Sequence, residues 1–302
     1  MVPIRSAALI GLGALGILFG KPLSEYLGSG FTVIADPARA ARYQSSPITC
    51  NGQPCHFGFT APEQGTPVDL ILVAVKATQL VQAVQDIARF IGPDTVILSV
   101  LNGITSEEVL EAAYPGHTLY SVAIGMDATR TDRTLVYKNA GKIQFGEKDG
   151  QISARMQPVA DLLTACGIAN DPCTDILYKQ WNKLMINDGL NQAAAAYRLT
   201  YGGLNASEEA RARLLTAMHE TVVVANAEGI ALPADAPERW IAGLPGMKPD
   251  GMPSMLQDVL ARRPTEVEEF AGIVRRLSAK HGLATPANDW FYHTIRAIEA
   301  AY

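Results

Sequence analysis

Ala7-Ala8-Leu9-Ile10-Gly11-Leu12-Gly13-Ala14-Leu15-Gly16 decides the fold. Four apolar residues predict a short buried strand, and the uncharged run Ile17–Gly20 leading to Leu27 is compatible with a helix. Between them stand three glycines spaced G-x-G-x-x-G. The first permits a tight turn, the second lets the backbone approach a diphosphate, and the third allows close helix–strand packing, while the helix start offers unpaired N–H groups to an anion. Gly11, Leu12, Gly13, Ala14, Leu15 and Gly16 are therefore expected to seat the phosphates of a dinucleotide. The motif alone is weak, but here it opens a βαβ unit, and Asp36 ends the second apolar run twenty residues past Gly16, where a ribose-binding acid is expected. Beside Pro37, Asp36 could equally be a helix N-cap, and both readings stay open.

Working outward, the chain up to about residue 171 alternates short β-rich runs with amphipathic stretches, the pattern of a parallel sheet covered by helices. Ala7–Ile10, Thr32–Ala35, Asp69–Val75, Thr95–Leu101 and Leu119–Ile124 read as strands buried on both faces. Leu135–Tyr137 and Lys142–Phe145, separated by Asn139-Ala140-Gly141, read as a hairpin closing the domain. After a break at Asn170-Asp171-Pro172, helical periods take over, with candidate helices at Ile176–Ala196, Ser207–Glu228, Ser254–Ala261, Thr265–His281 and Pro286–Ala301. Pro233–Pro253, rich in proline and glycine, reads as a loop or short-helix region. The expectation is an α/β chain of two domains, a dinucleotide-binding domain at 1–171 and an all-helical domain at 172–302.

Composition narrows the function. With 25 Lys+Arg against 30 Asp+Glu, the net charge of -5 lacks the basic surplus of a nucleic-acid or anionic-membrane binder, which leaves small-molecule chemistry. Cys50, Cys55, Cys166 and Cys173 have neither zinc-site nor redox-dithiol spacing, so they read as reduced thiols and no metal is expected. Arg5 and the apolar run after it superficially resemble a secretory signal, but four glycines dilute the run and Lys21-Pro22 stands where a cleavage site should be. A cytoplasmic location is expected.

Two further loops sit at strand ends, where open α/β sheets place ligands: Val75-Lys76-Ala77 and Leu101-Asn102-Gly103. Lys76 could be a plain solvent-facing helix start and Asn102-Gly103 only a turn; their position favours ligand contact. Within Trp181–Asn191, Lys183, Asn187 and Asn191 follow one another at i, i+4 and form one polar stripe on an otherwise apolar helix. Amides suit fixed hydrogen bonds to a polar ligand better than they suit a solvated face. Ser254 with Gln257, and Thr265 with Glu268, fit capping boxes, in which case Glu266 would be only a first-turn acid favoured by the helix dipole.

Together, the glycine turn, Val75-Lys76-Ala77, Asn102-Gly103, Trp181-Asn182-Lys183 with Asn187 and Asn191, and Ser254-Met255 through Thr265-Glu266 resemble, in order and spacing over nearly the whole chain, the ketopantoate reductase (2-dehydropantoate 2-reductase) family. The resemblance implies a Rossmann domain followed by a helical domain like that of 6-phosphogluconate dehydrogenase, with the active site in the cleft between them. It implies NAD(P)H-dependent reduction of ketopantoate to pantoate, a step of pantothenate biosynthesis. Lys183 then matches the lysine that protonates the ketone oxygen, and Glu266 the acid that holds the keto or hydroxyl end. Asn187 and Asn191 would bind the substrate hydroxyl and Ser254 its carboxylate, while Lys76 and Asn102 would hold the nicotinamide ribose region. The partner is a small 2-keto acid, with a homodimer left open and neither nucleic acid nor membrane expected.

The chain departs from the family in three places. Asn191 is followed by Gln192-Ala193-Ala194 where members commonly have Pro and Thr, Leu101 replaces the usual Gln before Asn-Gly, and Asp36 stands where members preferring NADPH carry a basic residue, with Arg39 and Arg42 beyond. NADP(H) is the cofactor by resemblance, and Asp36 leaves NAD(H) open. The competing enzyme is an NAD-dependent 2-hydroxyacid dehydrogenase acting on another branched or aromatic 2-keto acid. A dinucleotide-binding sensor is the non-enzyme alternative, against which the presence of both Lys183 and Glu266 argues.

Overall fold

The computed structural model describes residues 3–302, which form two compact units: the chain up to Leu101 with Thr105–Ile176, and Asn102–Ile104 with Leu177–Tyr302. No helix among the described residues is long and apolar enough to cross a membrane.

The first unit runs β1 (Ala7–Ile10), α1 (Ala14–Leu27), β2 (Phe31–Ile34), α2 (Pro37–Gln44), β3 (Ile48–Cys50), β4 (Gln53–Cys55), β5 (Phe59–Thr60), β6 (Leu70–Val73), α3 (Leu80–Asp86), β7 (Val96–Ser99), α4 (Ser106–Ala113), β8 (Thr118–Met126), β9 (Thr129–Thr131), β10 (Thr134–Val136), β11 (Ala140–Gly146), α5 (Met156–Ala165) and β12 (Asn170–Pro172). Its main sheet has the order β12-β11-β8-β7-β6-β1-β2-β5. From β5 to β8 every neighbouring pair is parallel. β1, β6 and β7 are buried at all positions, which is why they read as continuous apolar runs with no alternation. The strand order reverses between β1 and β6, the switch point at which doubly wound sheets bind ligands beyond the strand ends.

Three sequence expectations are corrected. Leu135–Tyr137 and Lys142–Phe145 do not pair. β11 runs antiparallel to β8, while β10 pairs with β9 and β3 in a separate four-stranded sheet of order β4-β3-β10-β9. The tight reversal lies instead at Asp132-Arg133, with Asp132 at φ 50°, a left-handed conformation that Asp tolerates. The expected break at Asn170-Asp171-Pro172 is a strand, β12, parallel to β11. As the outermost strand of the sheet it can carry a proline without losing a ladder bond.

The second unit contains α6 (Ile176–Tyr197), α7 (Tyr201–Ala206), α8 (Glu208–Ala227), α9 (Ala236–Ile241), α10 (Ser254–Leu260), α11 (Ala271–Lys280) and α12 (Pro286–Glu299). Ser207 caps α8 through Oγ, which accepts from Ala210 N at 3.3 Å. The third correction concerns Thr265–His281. A 3-10 turn at Val267–Glu269 comes first and α11 starts only at Ala271, because the Thr265 hydroxyl donates to Glu299 Oε1 at 2.7 Å and does not start a helix. The core gathers Leu184, Met218, Phe270, Val274 and Phe291. Phe291 is 0% exposed, so Phe291→Ala should cost about 3–5 kcal/mol.

Three helices of this unit start inside the protein, and other helices cap them. Pro253, Phe270 and Thr285, at the N-cap positions of α10, α11 and α12, make no side-chain cap bond. Instead Asn191 Oδ1 accepts from Met255 N at 3.2 Å, and Gln192 Oε1 from Ala271 N at 3.3 Å. Glu220 accepts from Ala287 N and Asn288 N at 2.8 and 2.9 Å. Buried helix ends need such partners, since an unsatisfied buried N–H costs about 1–3 kcal/mol.

Candidate active site

In the first unit, the turn after β1 lies against the turn after β6. Gly11 has φ +97°, and a Cβ on it would sit 2.6 Å from Ala74 O; a Cβ on Gly16 would sit 1.9 Å from Gly11 O. Both glycines are thus required by the protein's own packing. Gly13 is different: its φ is -76°, and the nearest atom to a Cβ there would be 3.7 Å away. The fold does not demand glycine at this position, whereas backbone approach to a diphosphate does. Gly13 is also the N-cap of α1, with no side-chain cap bond and no acidic residue in the first turn. The start of α1 therefore keeps its N–H groups and positive dipole end for an anion. These residues fit a dinucleotide.

Asp36 is the N-cap of α2. Its Oδ1 accepts from Arg39 N at 2.8 Å, and Oδ2 lies 3.7 Å from Arg39 Nε. The Arg39 backbone N–H, chiefly, and the Arg39 charge hold its carboxyl below the usual range. It is exposed and ionised, with one oxygen committed to the cap. Lys76, exposed, precedes the 3-10 turn Ala77–Gln79 at the end of β6. One residue here was missed by sequence reading: Arg130, from β9, donates through Nη1 to Leu12 O of the glycine turn and through Nε to Asp132 O at 2.7 Å.

In the second unit, three residues far apart in sequence form a hydrogen-bonded chain. Lys183 Nζ donates to Asn102 Oδ1 at 2.9 Å, and Asn102 Nδ2 donates to Glu266 Oε2 at 2.8 Å. The amide presents its oxygen to the ammonium and its nitrogen to the carboxylate, so each charge is held by a group of matching polarity. Gly103 makes the turn possible: its φ is +89°, and a Cβ on it would lie 2.9 Å from Glu269 Oε2. Asn102-Gly103 is thus a turn that also sets the Asn102 amide between Lys183 and Glu266, and Glu266 is not merely a first-turn acid.

The polar stripe of α6 also comes together. Asn191 Nδ2 donates to Asn187 Oδ1 at 3.1 Å, and Ser254 Oγ donates to Asn191 Oδ1 at 3.2 Å. With Met255 N on the same oxygen, Asn191 is a buried, largely satisfied amide that ties α6 to α10 and fixes the orientation of Asn187. Asn187 then presents Nδ2, a pure donor, away from its partner. The Ser254/Gln257 capping box does not form, because Pro253 holds the N-cap position and Gln257 Nε2 donates to Met252 O.

Beside this stripe runs a second i, i+4 pair that the sequence reading passed over, Asp188 and Gln192, both 0% exposed. Gln192 Nε2 donates to Asp188 Oδ1 at 2.7 Å and reaches Asn288 Oδ1 at 3.3 Å, and the Thr221 hydroxyl meets Asp188 Oδ2 at 2.7 Å. Burial, with the Glu220 charge adding to it, pushes the Asp188 carboxyl up to about 8. The unusual Gln192 is thereby explained: it links α6, α11 and α12. Its sequence signals were that departure from the family pattern and the same four-residue spacing that marked Asn187 and Asn191.

A glycine turn at the switch point of a parallel sheet, together with a buttressed lysine and a polar stripe on a helical unit, defines an oxidoreductase that uses a nicotinamide dinucleotide. Residues 7–150 match the family model "Ketopantoate reductase PanE/ApbA", and residues 175–299 match "Ketopantoate reductase PanE/ApbA C terminal". The chain belongs to the ketopantoate reductase family. It is 29% identical over 298 residues to the 2-dehydropantoate 2-reductase of Streptococcus pyogenes serotype M3, covering 97% of each chain. Among solved structures, a dimeric ketopantoate reductase from Staphylococcus aureus superposes with TM-score 0.82 at 23% identity, covering 98% of this chain and 99% of that one. D-mandelate dehydrogenase with NADH and anilino(oxo)acetate superposes with TM-score 0.86 at 24% identity, covering 98% of both.

Proposed function

We propose that the protein reduces ketopantoate to pantoate, and the observation that carries this is the Lys183–Asn102–Glu266 chain. When bound, the dinucleotide would supply a hydride to the keto carbon. Lys183 gives its Nζ proton to the oxygen as alkoxide charge develops there, and Asn102 holds that ammonium in place. A positioned acid of this kind contributes about 10²–10⁴-fold. Glu266 orients Asn102 and accepts from the hydroxyl as it forms. Asn187 donates through Nδ2 to a substrate oxygen, and Asn191 keeps it aimed. Ser254, exposed on α10, exchanges its bond to Asn191 for the substrate carboxylate.

Gly11 to Gly16 seat the dinucleotide phosphates, and Lys76 with Asn102 serves the nicotinamide ribose. Asp36 keeps Oδ2 for the adenosine ribose hydroxyls while Oδ1 caps α2. NADH is therefore accepted at least as well as NADPH. The likeness to the S. aureus enzyme supports a homodimer, and the biosynthetic setting supports a cytoplasmic location.

A second reading, reduction of an aromatic 2-keto acid, is favoured by the likeness to D-mandelate dehydrogenase and by Leu101 in place of the family's usual Gln. The test is nicotinamide absorbance with ketopantoate, benzoylformate and branched 2-keto acids against both cofactors. Turnover of ketopantoate well above the others is expected. Turnover of benzoylformate alone would replace the substrate, and binding of NADH without turnover of any keto acid would make the protein a sensor.

A further inference from the structure

Arg130 combines an inward-facing position with bonds to backbone carbonyls beside the glycine turn. In Thr129-Arg130-Thr131 both threonines are exposed, and Arg130 stands directly opposite Leu135 in the antiparallel β9–β10 pair. Cross-strand partners share a face, and Leu135 is 0% exposed in the core that also holds Leu12, so Arg130 lies on the inward face of the hairpin. Its Nη1 donates to the carbonyl of Leu12, the residue between the first two glycines of the turn, and its Nε donates to Asp132 O at 2.7 Å. Two bonds to backbone carbonyls fix the guanidinium plane but neutralise none of its charge, and Nη2 belongs to neither. Among the described residues, no carboxylate pairs with Arg130.

The same turn leads into α1, which starts with a positive dipole end and no acid in its first turn. A half-buried cation beside a positive helix end is unfavourable by itself and favourable once an anion shares the turn. From this placement we infer that Arg130 is a further cofactor-binding residue, whose Nη2 side contacts the diphosphate of the dinucleotide from the β9–β10 hairpin. The inference rests on the dinucleotide seating at the glycine turn. It gives the small four-stranded sheet a task beyond covering the core: it carries a cation to a turn that otherwise offers only backbone.

Binding of NADH, followed by its fluorescence, and its displacement by ADP and by adenosine test this in the wild type, Arg130→Gln and Arg130→Lys. Charge-assisted bonds of this kind correspond to about 10–100-fold in affinity. Arg130→Gln should weaken NADH and ADP by that factor and leave adenosine, which has no phosphate, within about threefold. Arg130→Lys should recover part of the loss. Equal NADH affinity in wild type and Arg130→Gln would overturn the role. So would a matched loss of ADP and adenosine, which would mean that Arg130 only shapes the turn. A wild type that binds no NADH would instead remove the seating itself.

Discussion

The two units arrange their polar groups with opposite materials. The first does it with backbone: the turn Gly11–Gly16 has no polar side chain, and its shape comes from what a Cβ would strike, 2.6 Å from Ala74 O at Gly11 and 1.9 Å from Gly11 O at Gly16. The second does it with side chains borrowed across helices, an amide between a lysine and a carboxylate and three helix starts capped from elsewhere. A backbone site fails by steric exclusion and a side-chain site by loss of one partner, so substitutions in the two units should fail differently.

The largest expected effect separates chemistry from binding. Lys183→Ala should lower kcat by about two to four decades and leave NADH affinity within a factor of about two. Single-turnover rates beside NADH titrations check this, and wild-type turnover in the variant would remove Lys183 from the chemistry. Gly16→Ala should do the reverse, costing about two decades or more in NADH affinity because its methyl overlaps a backbone oxygen. Normal NADH binding by Gly16→Ala would show that the turn can shift, contrary to the packing described.

Asn191→Ala comes next. It removes the acceptor for Met255 N and Ser254 Oγ and frees the Asn187 amide to rotate, so about 1–3 kcal/mol of stability should be lost and KM should rise. Denaturant unfolding together with steady-state kinetics would test both parts, and an unchanged KM would restrict Asn191 to holding α10.

Asp188 sharpens the contrast through pH. Its folded-state pKa, about 8, lies above the ordinary aspartate value of 3.8, so the folded protein keeps a proton that the unfolded chain releases, and stability falls as pH rises between those values. Asp188→Asn should remove this dependence. Melting temperatures at pH 5.5 and 8.5 should converge in the variant relative to the wild type; parallel curves would assign the pH dependence elsewhere.

The smallest effect belongs to Asp36. Asp36→Ala should shift the NADPH-to-NADH ratio of catalytic efficiency toward NADPH by about tenfold, as expected for removal of one charge at an exposed site. An unchanged ratio would mean that Asp36 serves only the α2 cap.

How legible each unit was follows from the same contrast. Gly11, Gly13 and Gly16 could be read because a backbone device leaves its residues contiguous and its spacing fixed. β1, β6 and β7 were legible because burial on both faces leaves unbroken apolar runs. The small sheet of β3, β4, β9 and β10 was not, since strands of three residues with mixed exposure carry no usable period. In the helical unit, i, i+4 spacing revealed Lys183, Asn187 and Asn191, because one helix carries all three. The placement of Glu266 against Asn102, and of Gln192 against the start of α11, depends on packing between segments far apart in the chain. Capping-box spacing misled at Ser254 and Thr265, whose hydroxyls found partners on other elements.

The order in which the ribosome releases these groups has a consequence of its own. Asn102 emerges early, its lysine partner 81 residues later, and its carboxylate partner 164 residues after it. A nascent chain that has just passed residue 176 already holds every described strand of the sheet that carries the glycine turn, but of the Lys183–Asn102–Glu266 chain only Asn102. Until Glu266 has been synthesised, Asn102 has nothing on its nitrogen side to fix the polarity of its amide. Premature termination anywhere in the helical half before that point would leave fragments that carry the glycine turn but never assemble the Lys183–Asn102–Glu266 chain.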